Sequence, residues 1–538
     1  MNEAVDRKLY VLKLPINLAT TVEVFGIAIV LFLAAYVRLI NLEVNPGWYS
    51  DEGTLINIAK NLINGRWQYM ALNQSTLIAA RLPLFPWLLS EVFRWYEPGI
   101  VTLRTFTGLL GVVAVGLVYG LVRLVQPERI SWKALLTAFM LAIYPEAVVH
   151  TRLGFSYNLL AIFALLACWG LWSYLKNGRV IWLLLTAIVI GLGIVTDLMM
   201  VTFILPTLII ISMHGWKKIA LALTVMLLPF AFYGLWMIAN VPQAFWFDLR
   251  FTVSRLGTIT GVFQLPAVLF NYFALILRDP WALLGIIGLF VIRPMRWRGM
   301  LLLLLFLPLI SLGRTTGYGA GLGTYYIIAL LPFFAIGMGG LIWLAIPLVL
   351  NTLKSGLEKL LYDWGVMDIG GGWLQHRAIA LISSLGVFLI VISPFLLTTA
   401  MYFMNAEKSY SSSADPILIN SHDARLILDF INQQIQPDDL VIASPALAWG
   451  INANAADFQQ SLASQGIATQ HFPADIPADR FAFNPDYQRA RYVVIDKIWR
   501  NWAALNMPEV AEMMAEVERW PMEYSAGEIQ VYRNPKLQ

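Results

Sequence analysis

The chain consists mainly of long apolar segments separated by short polar ones. The first apolar segment runs from about Leu18 to Ile40, and ten more lie near 100–124, 131–149, 155–176, 180–196, 198–213, 217–239, 279–293, 299–313, 324–348 and 378–403. A helix needs about 20 predominantly apolar residues to cross the hydrocarbon core of a bilayer. The pattern therefore predicts a mainly α-helical, polytopic transmembrane bundle with about 11–13 spans.

The composition supports this class and excludes others. Of the 538 residues, 59% are hydrophobic and only 13% are charged, whereas soluble domains carry about 25% charged residues. The net charge of +4 is small and the basic residues lie in short loops, so we expect no nucleic-acid partner. The single cysteine, Cys168, excludes an intrachain disulfide and a cysteine metal site.

The positions of basic residues predict the topology. With eleven spans, the short loops rich in Lys and Arg all fall on one side, as the positive-inside rule requires, provided that 262–277 does not cross. The N-terminus is then inside, the protein belongs to the cell (plasma or inner) membrane, and an outer loop covers 41–99. The outer side also collects ionisable and polar groups, for which we expect one common polar cavity. Apart from Asp51, Glu52 and Arg81, they are Glu146, His150, Arg152, Asp197, Asp248, Arg250, Arg255, Arg278, Asp279, Arg314 and Tyr318.

The composition changes after the last span. A polar linker occupies 406–420, and from 421 to 538 the chain has the pattern of a small α/β domain. We predict a helix over 422–435 and strands over 440–444, 492–495 and 529–532. The topology places this domain outside the cell, after a transmembrane domain that covers 1–405.

The outer loop contains the candidate chemistry. Asp51 and Glu52 follow a Pro-Gly turn and precede an amphipathic helix, and Arg81 comes thirty residues after Asp51. A positioned carboxylate can act as the base for an acceptor hydroxyl, and Arg can bind a phosphate with two parallel hydrogen bonds. The alternative is that an Asp-Glu pair only stabilises the start of a helix, by about 0.3–1 kcal/mol. On that alternative, Glu52→Gln should reduce turnover less than Asp51→Asn does.

Four further motifs follow the Asp-Glu pair and Arg81 along the chain. They are Val101-Thr102-Leu103-Arg104-Thr105, His150-Thr151-Arg152-Leu153-Gly154-Phe155-Ser156-Tyr157-Asn158-Leu159-Leu160, Gly191-Leu192-Gly193-Ile194-Val195-Thr196-Asp197 and Tyr325-Tyr326-Ile327-Ile328-Ala329-Leu330-Leu331-Pro332. The order of these motifs resembles that of the GT-C glycosyltransferases, over residues 18 to 403. Within that class it is most similar to the group that contains the protein O-mannosyltransferases and the bacterial aminoarabinose transferases (glycosyltransferase family 39).

The resemblance implies roles for individual residues. Asp51 is the catalytic carboxylate with Glu52 beside it, and Arg81 is a ligand of the donor phosphate where relatives have Lys. The other substrate-binding candidates are Arg152, Asn158, Arg314 and Tyr325. Many relatives carry an acid where this chain has Asn158, and an amide is a poor metal ligand beside a carboxylate. We therefore predict no metal ligands and no certain cofactor, although the family pattern leaves a divalent metal open.

The predicted function is transfer of a sugar from a polyprenyl-phosphate-linked donor to an acceptor on the extracytoplasmic face. The acceptor is a protein, or a lipid or glycan. Direct displacement with inversion needs one base rather than the two carboxyl groups of a retaining hydrolase. Two alternatives stay open: a lipid or small-molecule transporter or flippase, and a non-catalytic membrane scaffold with a partner-binding outer domain. Assays of sugar transfer and lipid translocation separate the three.

Overall fold

The structure is a computed structural model of the full chain. It describes residues 16–74, 82–128, 130–255, 279–315, 324–363, 373–409 and 418–537. The predicted architecture is confirmed: a large helical bundle is followed by a small C-terminal unit built around a sheet.

The membrane part is almost entirely helical. Its helices are α1 Ile16–Leu39, α2 Ser50–Ile63, α3 Leu84–Phe93, α4 Ile100–Val125, α5 Trp132–Ile143, α6 Pro145–Thr151, α7 Tyr157–Asn177, α8 Val180–Ile194, α9 Ile204–Ile211, α10 Trp216–Asn240, α11 Pro242–Arg255, α12 Pro280–Val291, α13 Met295–Thr315, α14 Leu331–Asp363, α15 Trp373–Val387 and α16 Ser393–Ser409. Short 3-10 turns cover Leu198–Phe203 and Thr324–Leu330. The outer loop adds β1 Trp48–Tyr49 and the hairpin of β2 Gln68–Tyr69 and β3 Leu72–Asn73.

Among the described residues, fewer helices are long and apolar enough to cross a membrane than the eleven spans that the apolar pattern predicts. In the described part of the chain six helices are long and apolar enough, or seven if α5 and α6, which meet at a 59° bend, form one span. Among the other predicted spans, α8 has 15 residues and α12 has 12. At 1.5 Å per residue such helices measure about 18–23 Å, less than the roughly 30 Å hydrocarbon core. The apolar pattern marks these segments as buried in the membrane part, but it does not measure helix length.

The C-terminal unit has the predicted α/β character. Its elements are β4 Leu418–Ile419, α17 Ser421–Gln434, β5 Leu440–Ile442, α18 Pro445–Ala448, β6 Asn454–Ala456, α19 Phe458–Ser464, β7 Tyr492–Ile495, α20 Ala504–Asn506, α21 Pro508–Val517, β8 Met522–Ala526 and β9 Ile529–Arg533. The sheet order is β6-β5-β7-β9-β8, with β5 parallel to β6 and β7 and with β9 antiparallel to its neighbours. The predicted helix and three strands are present, and the structure adds β4, β6 and β8, which the sequence pattern does not predict.

The C-terminal unit and the outer loop share one hydrophobic core. That core joins Leu55 and Ile58 of α2 with Phe85 of α3, and continues into Val441 and Trp499 of the C-terminal unit. A second core lies among the membrane helices. The outer loop is therefore packed between the membrane bundle and the C-terminal unit.

Candidate active site

The candidate site is centred on the start of α2. Tyr49 has an extended backbone and precedes the helix, so Asp51 and Glu52 both lie in its first turn. The predicted amphipathic face is observed, because Leu55, Ile58 and Ala59 are buried. Asp51 is half-buried, whereas Glu52 is fully buried. The two neighbouring carboxylates therefore have different surroundings.

Glu52 is bound on every side by donors of the protein. Its Oε1 accepts hydrogen bonds from Arg104 Nε and the Gly154 backbone N–H, both at 2.8 Å. Its Oε2 accepts from Arg104 Nη2 at 2.6 Å and from the Tyr49 backbone N–H at 3.1 Å. A carboxylate offers about four acceptor positions, and all of them are used here. Glu52 thus ties the start of α2 to α4 and to the turn before α7. Its predicted catalytic role stays a prediction, but this geometry favours a positioning role.

Arg104 holds the segment that leads into α2. Besides its two bonds to Glu52, it donates from Nη1 to the carbonyls of Leu42 and Pro46, each at 2.8 Å, and from Nη2 to the carbonyl of Gly47 at 2.7 Å. A guanidinium has five N–H donors, so all the donors of Arg104 are used. The side chain is 0% exposed. Arg104 therefore fixes the backbone on both sides of the Pro46-Gly47 turn.

Arg152, a predicted substrate-binding residue, supports the same segment. Its Nη1 donates to the carbonyl of Val37 at 2.9 Å, and its Nη2 donates to the carbonyl of Asn45 at 2.8 Å. Only 1% of the side chain is exposed. Contact with a substrate stays a prediction; what the geometry supports is a role in holding the loop.

Asn158, another predicted substrate-binding residue, is buried beside the turn that contains Arg152. Its Nδ2 lies 3.1 Å from the carbonyl oxygens of His150 and Leu153. Its Oδ1 accepts no hydrogen bond from the part of the chain that the structure describes. The Nδ2 group of Asn158 therefore holds the turn before α7, while its Oδ1 atom can still accept a hydrogen bond.

The three remaining predicted residues cannot be placed at the site by their side chains. Arg81 lies outside the described residues. Arg314 is in the last turn of α13 and Tyr325 in the 3-10 turn before α14, and the structure describes their backbones only. The predicted common cavity also involves residues outside the described ranges, and it stays a prediction.

The described residues do not form a two-carboxylate metal site around Asp51. Glu52 has no lone pair left for a cation, because Arg104, Tyr49 and Gly154 occupy both of its oxygens. Asn158 would offer one neutral oxygen. Among the described residues no group of three His, Cys, Asp or Glu side chains could hold an ion.

Sequence analysis missed two features of this site. The sequence includes Arg104 in a motif but does not indicate its structural role, because a cation at the end of an apolar segment is common at membrane interfaces. The contacts of the C-terminal unit with α2 were missed entirely. They join residues almost four hundred positions apart, such as Lys60 and Trp449, and no local pattern reports such pairs.

Comparison with known proteins supports the resemblance in both sequence and fold. Residues 80–246 match the family model described as dolichyl-phosphate-mannose-protein mannosyltransferase. The matched residues make up under a third of the chain. The chain is also 34% identical over 102 residues to the candidate mannosyltransferase YkcB of Bacillus subtilis (strain 168). That alignment covers 19% of this chain and 14% of YkcB, so the chain spans only a small part of that relative's length.

Solved structures share the fold across nearly the whole chain. ArnT from Cupriavidus metallidurans, solved in the apo state, matches with a TM-score of 0.58 at 16% identity, covering 96% of this chain and 98% of that one. ArnT bound to undecaprenyl phosphate matches with the same TM-score and coverage at 15% identity. The apo oligosaccharyltransferase of Archaeoglobus fulgidus matches with a TM-score of 0.51 at 14% identity, over 88% of this chain and 69% of that one. The predicted resemblance to the GT-C glycosyltransferases is confirmed, and the chain has their multi-pass membrane fold.

Proposed function

We propose that this protein is a membrane glycosyltransferase that transfers a sugar from a polyprenyl-phosphate-linked donor to an acceptor hydroxyl on the extracytoplasmic face. The observation that carries the proposal is the start of α2, where Asp51 is half-buried and its neighbour Glu52 is saturated by internal donors. Asp51 is the carboxylate proposed to act on the acceptor, and it lies on a loop held by two buried arginines, Arg104 and Arg152. The family match and the shared fold support the same activity.

The reaction would be a direct displacement at the anomeric carbon. Asp51 would accept the proton of the acceptor hydroxyl while the oxygen of that hydroxyl forms a bond to the anomeric carbon. The bond from that carbon to the phosphate oxygen would break on the opposite face, which inverts the configuration. Arg81 and Arg314 are the cations proposed to stabilise the departing polyprenyl phosphate, because a charge-assisted bond to phosphate gains strength as charge develops.

The outer loop and the C-terminal unit together support the proposed side of the membrane. β1 and β4 pair, so residue 48 and residue 419 lie on the same side of the bundle. The basic loops predict that this side is extracytoplasmic. A lipid-linked donor would then present its phosphate beside Asp51 at the outer surface. The acceptor, either a protein or a lipid or glycan, would approach from the same side.

The test is a transfer assay on purified protein in liposomes. The probe is undecaprenyl-phosphate mannose with a radiolabelled sugar, offered with a membrane and envelope extract as the source of acceptor. Wild type should move label from the lipid to a new product and release undecaprenyl phosphate, and Asp51→Asn should not. Movement of the labelled lipid between leaflets without loss of its sugar would favour a flippase. Binding of undecaprenyl phosphate without either reaction, with every lipid-linked sugar tried, would favour a scaffold.

A further inference from the structure

We infer that the C-terminal domain (418–537) positions Asp51 by packing its Pro445–Trp449 turn against Gly53 of α2; this rests on the proposed function. Gly53 is in this view a positioning residue, because it touches the C-terminal domain and acts on the reaction only through Asp51. The domain would then be a fixed part of the active site rather than an appended binding module.

Gly53 allows an approach that no other residue would permit. A Cβ atom at this position would lie 1.8 Å from the carbonyl oxygen of Pro445 and 3.0 Å from Cδ1 of Trp449. The nearest atom belongs to the backbone, so it cannot rotate away as the end of a side chain could. Any larger residue would therefore separate α2 from the turn at Pro445.

Further contacts fasten the same surface of the outer loop. Lys60, seven residues after Gly53 and thus on the same side of α2, donates to the carbonyl of Trp449 at 2.9 Å. Ahead of the helix, Trp48 pairs with Ile419 across the β1–β4 ladder. The rings of Trp48 and Trp449 also lie with their centroids 5.2 Å apart. Both ends of α2 are therefore attached to the C-terminal domain.

The hairpin that follows α2 is attached as well. Gln460 donates to the carbonyl of Tyr69 at 3.1 Å and accepts from the backbone N–H of Ala71 at 3.2 Å. Leu72 pairs with Phe481 in an antiparallel bridge. Beyond the hairpin, Arg480 forms a buried ion pair with Asp248 of α11 at 3.3 Å. The contact is thus continuous from β1 to β3 and extends to the membrane bundle.

The side of the sheet that makes this contact is the one that binds ligands in other α/β proteins. Pro445 follows the carboxyl end of β5, and Asp457 follows the carboxyl end of β6. Asp457 is hydrogen-bonded by Tyr69 of the hairpin, and the Tyr69 hydroxyl lies 3.3 Å from Thr54 Oγ1 in α2. In open α/β sheets, ligands bind outside the carboxyl ends of the strands. Here the outer loop occupies that place.

The geometry of α2 connects this contact to Asp51. Residues two apart on a helix point about 200° apart, so Asp51 faces away from the surface that Gly53 presents to Pro445. Glu52, between them, is held by Arg104. A displacement of α2 at Gly53 therefore has to move Asp51 relative to the bundle, where the donor would bind. An error of about 1 Å in the placement of a reacting group can cost about 100-fold in rate.

The first experiment compares Gly53→Ala with wild type in the liposome transfer assay. We expect kcat to fall about 100-fold, while KM for the lipid donor and binding of undecaprenyl phosphate change less than about threefold. Wild-type transfer is measured first: if wild type transfers no sugar, the proposed function fails, and if it transfers and Gly53→Ala has a normal kcat, only the positioning role fails.

Two glycines provide matched controls. Gly234, within α10, has no atom within 4 Å of an added Cβ, so Gly234→Ala should leave kcat unchanged. Gly288, in α12, would place its Cβ 1.9 Å from the Gly337 carbonyl oxygen. Gly288→Ala therefore introduces a comparable clash inside the membrane bundle, and it should lower the melting temperature with a smaller loss of kcat than Gly53→Ala. An equal loss of kcat in both variants would show that Gly53→Ala acts through general destabilisation.

A crosslink tests the inference even if Gly53→Ala does not fold. In a Cys168→Ala background, Leu72→Cys and Phe481→Cys place two thiols at paired positions of the antiparallel bridge. Paired Cα atoms there lie about 4.5–5.5 Å apart, a separation that a disulfide can span. We expect the oxidised form to keep turnover within about twofold of the reduced form, because a fixed domain need not leave α2. Loss of turnover on oxidation and recovery on reduction would overturn the inference, since the domain would then have to move.

Discussion

Glu52 and Arg104 form an ion pair in which both side chains are completely buried, with Arg104 Nη2 2.6 Å from Glu52 Oε2. The pair joins the start of α2 to the first turns of α4. The pair accounts for the complete burial of Glu52, whereas the neighbouring Asp51 is half-buried.

Glu52→Gln should be strongly destabilising. It leaves the Arg104 charge buried without a counter-ion, and breaking a buried pair in this way costs about 3–5 kcal/mol. Thermal unfolding in detergent measures the effect. Glu91→Gln removes one partner of the exposed pair between Arg94 and Glu91 and should change stability by less than about 1 kcal/mol. Equal melting temperatures for the two variants would contradict a structural role for Glu52.

Asp51→Asn should lose turnover while donor binding is kept. The amide preserves shape but cannot accept the proton of the acceptor, and general-base assistance is worth about 100- to 10,000-fold in rate. The measurement is kcat in the liposome assay beside the affinity for undecaprenyl phosphate. Full transfer by Asp51→Asn would show that this loop is not catalytic.

A chelator should have little effect on the same assay. Both oxygens of Glu52 are bound by protein donors, and Asn158 supplies no charge. A divalent cation needs several oxygen ligands, usually with carboxylates among them. Inhibition by EDTA that a divalent cation reverses would make Asp51 a metal ligand instead of a base.

Arg81→Ala should weaken binding of the lipid donor. Loss of a hydrogen bond to a charged group costs about 1.5–3 kcal/mol, or roughly 10- to 150-fold in affinity. Arg81→Lys should lose less, because it keeps the charge but not the bidentate geometry. Binding of undecaprenyl phosphate to the purified protein checks both variants. Wild-type affinity in Arg81→Ala would remove this residue from the donor site.

Protease added to right-side-out vesicles should reach the C-terminal domain. A cleavage sequence placed within 410–417 should be cut, because the basic loops predict that this linker lies outside. The same sequence placed in the basic segment at 214–218 should stay protected. Protection of the linker in intact vesicles, with cleavage after detergent is added, would overturn the topology.

The stability of the protein should fall as the pH rises from about 4 to about 6. Burial raises the pKa of Asp457 to about 6, although hydrogen bonds from the Gln460 and Gln459 backbone and from Tyr69 act to lower it. The folded protein then holds a proton that the unfolded chain has released, and stability up to about 3 kcal/mol is lost through this interval. Asp457→Asn should reduce the slope of melting temperature against pH. Part of the slope should remain, because burial also raises the pKa of Asp496 to about 6. An unchanged slope would contradict the assignment to Asp457.

The sequence by itself determined the membrane class, the order of the helices and the small α/β unit at the C-terminus. These features depend on local patterns. The length of an apolar segment indicates a span, and the spacing of apolar residues indicates α2, α17 and β7. It also identified Asp51 as the candidate carboxylate, because a carboxylate beside a turn at the membrane surface is visible in a few consecutive residues. Helix lengths were less accurate, because an apolar segment does not reveal where a bend such as that between α5 and α6 divides it.

Only the tertiary structure decided how Glu52, Arg104 and Arg152 are used. A buried charge is costly unless it is paired. The two arginines are bound by backbone carbonyls and Glu52 by backbone N–H groups, and no side-chain pattern encodes such partners. The same holds for Gly53, whose neighbour Pro445 is almost four hundred residues away. The physical reason is that a contact between residues far apart in sequence exists only after the whole chain has folded. The sequence shows that position 53 is a glycine, but not which residue packs against it.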